Sequence, residues 1–146
     1  MTKPEIEDGL AVMLGGRAAE EIIYDGVVST GASNDLERAS ELARQMVTRF
    51  GMSQRLGQMT YGQPQGARFL QTLFSVEERN YSERTAELID DEVRRIVDET
   101  YDRVKNILTG RRDELIRITH ELIRKETLDR AELERLLGTP VEAAVL

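Results

Sequence analysis

Cysteine is absent from this chain of 146 residues, tryptophan is absent too, and histidine occurs once, at His120. Without cysteine there is no disulfide and no thiolate metal site, a composition compatible with a reducing compartment. Aromatic residues supply 5% of the chain against 40% for apolar residues overall, so aliphatic side chains must fill the core. Long hydrophobic runs are missing as well: no stretch approaches the roughly 20 apolar residues that cross a bilayer, and these residues read as a water-soluble piece. Positive charge is in deficit, with 20 Lys and Arg against 27 Asp and Glu and a formal charge of -7. That balance argues against a nucleic-acid partner, which needs clustered cations, and leaves protein partners open. No G-x-x-x-x-G-K-[ST] phosphate loop appears, nor the strand and helix alternation of a parallel sheet.

What is present is helical periodicity. Thr2-Lys3-Pro4-Glu5 carries start signals: Thr2 and Glu5 can exchange side-chain and backbone bonds, and Pro4 loses no needed donor in a first turn. Ile6, Leu10, Met13 or Leu14, Arg17 or Ala18, and Ile22 continue one stripe to about Tyr24. Gly15-Gly16 in its middle marks either a bend or break, or a place where another backbone passes close. Asp25-Gly26 signals a turn and Val27-Val28 an extended link. Beyond Gly51 the chain reads as irregular, with Gln58 to Tyr61 a candidate short strand and residues 62–67 a mobile loop. Phe69, Leu70, Leu73 and Phe74 read as core, with contact to a substrate polypeptide or a neighbouring subunit as the alternative.

Ser82 caps a predicted helix of about 27 residues, about 40 Å long, ending near Gly110. Its expected buried row is Ala86, Ile89, Val93, Val97, Thr100 or Tyr101, Val104 and Leu108. Asp90 with Arg94, Asp91 with Arg95 and Glu99 with Arg103 support its exposed face. Gly110 allows reversal into a second helix, Arg112 to about Lys125, with Leu115, Ile116, Ile118, Leu122 and Ile123 turned inward. His120 falls off that row, as a surface or half-buried residue rather than a ligand. Asp129 as cap, Glu132 closing the box and Leu128 stapled on Leu133 start a last short helix, which Gly138-Thr139-Pro140 stops. Residues 139–146 read as a disordered tail. The expected fold is mostly α, a single helical domain with a long antiparallel helix hairpin and at most a short strand pair.

One stretch carries more than a fold. From Ser29 to Met52, a Gly-containing entry turn leads into a helix with its apolar row at Leu36, Ala39, Ala43, Met46, Val47 and Phe50, closed by Gly51. Asp35 sits in the first turns, where unpaired donors and the positive end of the helix dipole favour an anion; on its own this is a capping residue. Its surroundings change that reading. Thr30-Gly31-Ala32-Ser33-Asn34-Asp35-Leu36, preceded by Leu14-Gly15-Gly16-Arg17-Ala18-Ala19-Glu20-Glu21-Ile22 and followed by Met46 to Ser53, resembles the peptidase domain of FtsH-type membrane-anchored AAA+ zinc metalloproteases. The resemblance resumes at Lys125-Glu126-Thr127-Leu128-Asp129 and so spans nearly the whole chain.

The resemblance implies a hydrolase: an ATP-dependent zinc metalloendopeptidase that degrades unfolded or membrane-extracted polypeptides as a homo-hexamer. It implies Asp35 as the third protein ligand of Zn2+, with two histidines and the general-base Glu coming from an H-E-x-x-H helix. Glu20 becomes a candidate for orienting the ligating histidines from behind. Asn34 is either a helix cap, the favoured role, or a brace for the rotamer of Asp35. Thr119-His120-Glu121-Leu122 is not an H-E-x-x-H pattern, so residues 1–138 read as the C-terminal part of such a domain, beginning after its zinc helix. The general base, the membrane anchor and the ATPase with its ATP and Mg2+ are then expected upstream, with this domain on the cytoplasmic side of the membrane. The isolated chain is expected to be inactive. The competing reading is a non-catalytic helical interaction or oligomerisation module, which would carry the same amphipathic helices.

Overall fold

The computed structural model describes residues 1–62 and 80–138. Among the described residues five α-helices follow one another: α1 (Lys3–Ile23), α2 (Ser33–Thr48), α3 (Glu83–Gly110), α4 (Arg112–Lys125) and α5 (Arg130–Leu137), with a single 3-10 turn, Thr30–Ala32, ahead of α2. There is no strand among the described residues. Gln58 to Tyr61 is irregular, and the Tyr61 amide donates to the Thr48 carbonyl at 2.7 Å. The mostly α, single-domain expectation holds. The expectations for residues 63–74 and for the 139–146 tail lie outside the described residues.

The helix starts follow local chemistry. Thr2 and Glu5 form a capping box, with the Glu5 amide donating to Thr2 Oγ1 and the Thr2 amide to Glu5 Oε2. Asp129 and Glu132 repeat the device on α5, and Gly138 ends that helix in the left-handed conformation at φ +69°. Ser82 accepts from the Thr85 amide at 3.2 Å and opens α3, which runs for 28 residues. Gly15 and Gly16 do not break α1, which is continuous past both, and among the described residues a Cβ built on either meets nothing within 4 Å outside its own helix backbone and chain neighbours.

The core is a three-helix contact of α1, α2 and α3. Ile6, Leu10 and Leu14 of α1 meet Ala39, Ala43, Met46 and Val47 of α2 and Ile89, Val93 and Ile96 of α3, with Leu56 added from the loop after α2. Phe50, expected in the α2 row, is instead 48% exposed, because α2 ends at Thr48 and Gly51 turns the chain away at φ +61°. On α3 the seam runs through Ile89, Glu92, Val93, Ile96, Thr100 and Val104, with Ile96 buried beside the expected Val97, which packs against the core partly exposed. Charges expected to pair along α3 reach elsewhere: Asp90 faces Arg44 of α2 at 3.8 Å, Arg103 faces Asp8 of α1 at 3.6 Å, and Glu99 bonds Arg95.

The expected hairpin partners divide differently. The long helix packs on α1 and α2, whereas α4, joined to it through Arg111 alone, makes light contacts with α1, α3 and α5 and buries no residue completely. Leu115, Ile116 and Ile118 are half-buried, and Leu122 and Ile123 are exposed. His120 is exposed, as its place off the apolar row implied. No helix among the described residues is long and apolar enough to cross a membrane.

Candidate functional site

Asp35 is the third residue of α2, half-buried, and the acidic residue of its first turn. The entry is built by Ser29, whose extended backbone lets its Oγ accept from the Gly31 amide at 3.2 Å and start the 3-10 turn. That turn runs straight into α2, so the cap position falls on Ala32, whose methyl cannot accept a hydrogen bond. With no side-chain oxygen over the first-turn donors, Asp35 is the anion that the helix end favours there. Asn34 does not cap the helix: the 3-10 turn shifts the start upstream and leaves Asn34 exposed inside the first turn. It lines a shallow groove of about 460 Å³ along α2, with Met13 and Leu42 as the apolar floor and Glu37, Arg38, Glu41 and Gln45 around it.

Glu20 lies near the end of α1, half-buried, its backbone carbonyl accepting from the Tyr24 amide. No hydrogen bond or ion pair of its side chain occurs among the described residues. Its neighbour Glu21 is the carboxylate held in place: the Tyr101 hydroxyl donates to it, and Lys105 Nζ lies 2.9 Å away, tying α1 to α3. Tyr24 to Val27 then reverses the chain tightly, with the Gly26 amide, at φ +89°, donating to the Glu21 carbonyl.

The largest electrostatic effect lies away from Asp35. Glu92 is 1% exposed, yet it accepts from Ser53 Oγ at 2.7 Å, from Arg95 Nε and Nη2 at 3.1 and 2.9 Å, and from Arg55 Nη1 at 3.5 Å. The Arg95 guanidinium above all, then Ser53 and the charge of Arg55, outweigh burial and lower its pKa to about 2. Sequence reasoning placed Glu92 on no particular face. Its only signal was register, three residues after Ile89 and four before Ile96.

As a metal site the residues present are partial. No group of three or more His, Cys, Asp or Glu converges on one point among the described residues. A catalytic zinc needs about three protein ligands and an open position. His120 sits on α4, which does not touch α2, so it does not join Asp35 in a ligand set. Asp35 fits the part of one anionic ligand: short, half-buried, and fixed on a rigid helix.

Sequence comparison assigns the class. The model of Peptidase family M41 matches residues 1–136, and the chain belongs to that family. Among its relatives are proteins named ATP-dependent zinc metalloprotease FtsH and FtsH 1. The Bacillus subtilis protein is 50% identical over 137 residues, covering 93% of this chain and 21% of the relative. Those of Thermomicrobium roseum and Conexibacter woesei are 48% and 45% identical, over 95% and 99% of this chain and 21% and 22% of their own lengths. The chain thus spans about a fifth of the length of the curated relatives it matches.

Proposed function

We propose that this chain is the C-terminal part of the peptidase domain of an ATP-dependent zinc metalloendopeptidase, and that Asp35 is one of the ligands of its zinc. The observation that carries the reading is a half-buried carboxylate at an N-terminal helix turn without a side-chain cap, in a chain half identical to a zinc metalloprotease. Zinc, when bound, polarises the scissile carbonyl and lowers the pKa of its water. The contribution of this chain is to present the carboxylate. The Ser29 turn sets where α2 begins, Ala32 leaves the first-turn donors open, and the Ala39 to Val47 row anchors the helix against α1 and α3. Glu20, with no partner of its own among the described residues, is available to orient a ligating histidine. Two histidines and the general base come, on this reading, from an H-E-x-x-H helix elsewhere in the protein. ATP and Mg2+ act at a separate ATPase domain, the substrates are unfolded or membrane-extracted polypeptides, and the protein works as a membrane-anchored hexamer with this domain on the cytoplasmic side.

Asp35→Asn in the complete protein is expected to abolish zinc retention and peptide cleavage while leaving the circular dichroism spectrum and melting temperature close to wild type. Normal cleavage by that variant would refute the ligand assignment. The isolated chain is expected to cleave no peptide and to hold well under one zinc per chain by elemental analysis; a tight one-to-one complex would point to a second donor set. A helical interaction module remains the alternative, favoured by the exposed apolar residues Leu122 and Ile123 on α4. A complete gene product without an H-E-x-x-H helix would decide for it.

A further inference from the structure

The segment after α2 is held by one buried apolar side chain, Leu56, by Met52 and Tyr61 packed partly buried against the core, and by a set of polar contacts. Between residues 51 and 62 only Ser53 and Leu56 are buried, and Gln54, Arg55, Met59 and Thr60 are exposed. It is fastened at two places. At one, Ser53 and Arg55 reach Glu92 inside the α3 seam. At the other, the Gly62 amide donates to Asn80 Oδ1 at 2.8 Å, Asn80 Nδ2 and Arg49 Nη1 approach the Gly62 carbonyl at 3.4 Å, and Tyr61 meets Tyr81 edge to face at 5.9 Å. The Tyr61 hydroxyl, donating to the Leu56 carbonyl at 2.6 Å, links the two fastenings.

A buried carboxylate stripped of its partners is costly. Glu92 avoids that state even when the segment departs, because Arg95 belongs to the same helix and keeps both of its contacts, while water takes the place of Ser53. Release therefore leaves α3 with its charge neutralised and the mutual contacts of α1, α2 and α3 in place, at the cost of exposing Leu56.

We propose that residues 51–62 form a strap that opens and closes as one unit, independently of the α1, α2 and α3 core, and that Glu92 is its latch. Amide hydrogen exchange on the full chain tests this. The amides of Met52, Gly57 and Tyr61, which donate to Met46, Ser53 and Thr48, should exchange with one common opening equilibrium, faster than those of Leu10 and Ala43. Ser53→Ala should speed that group about tenfold or more and leave the core amides unchanged. Asn80→Ala should speed the same group, Gly57 included, because the two fastenings act on one unit. The strap is overturned if its amides exchange at the rate of the core. It is equally overturned if Asn80→Ala frees Gly62 but not Gly57, or if Ser53→Ala changes nothing. Glu92→Gln, which keeps the shape and removes the charge, should reproduce Ser53→Ala; unaltered strap exchange in that variant would remove Glu92 as the latch.

Discussion

Glu92 carries a charge inside an apolar seam, and that combination makes stability depend on pH. Its pKa of about 2 lies below the ordinary 4.5, so the folded state binds its proton less readily than the unfolded state. The stabilising contribution is complete above 4.5, declines as pH falls through the interval from 4.5 to about 2, and is gone below it. Linkage puts it at roughly 3 kcal/mol. Urea unfolding at pH 6 and pH 3 should show wild type losing most of that amount, and Glu92→Gln starting lower with a flatter profile. An equal loss in both proteins would assign the acid sensitivity to other carboxylates. Asp35 and Glu92 differ in how legible they were. Asp35 stood inside a run of neighbours whose order resembled a known motif. Glu92 was hidden because its two strap partners lie 39 and 37 residues away, a distance across which no periodicity speaks.

Helix positions were legible wherever caps and apolar spacing agreed, as at Thr2, Ser82 and Asp129. They were less so where two signals competed. Along α3 the adjacent apolar residues Ile96 and Val97 both suit an inward face, and packing buries Ile96 while Val97 lies against the core partly exposed. At α2 Asn34 and Asp35 offered capping side chains, yet the Ser29 turn moved the cap to Ala32. Gly15 and Gly16 were read as a bend or a close approach, but both sit within a continuous α1 beside open space. Gly16→Ala should therefore raise the stability of this chain by roughly 0.5 to 1 kcal/mol, measured by denaturant unfolding. In the complete protein the same methyl is a probe of the second reading. If another backbone occupies that space, the variant loses cleavage despite its more stable helix.

At the scale of the molecule, the body and the last two helices should respond differently to truncation. Leu10, 0% exposed between α1, α2 and α3, should cost roughly 3 to 4 kcal/mol when changed to alanine. Ile123, 76% exposed on α4, should cost under about 0.5 kcal/mol for the same change, both read as shifts in the unfolding midpoint. The hairpin expectation missed this division because amphipathic spacing tells that a face seeks cover and not which neighbour provides it. Among the described residues three ion pairs tie α3 to α1 and α2 at the rim: Arg44 with Asp90, Arg103 with Asp8, and Lys105 with Glu21. Dissolved electrolyte screens such outlying charges and barely reaches an aliphatic interior, where exposed pairs are in any case worth little. This domain should accordingly melt at nearly the same temperature in dilute buffer and in molar sodium chloride, its endurance resting on oil and on one sheltered carboxylate rather than on outlying charge.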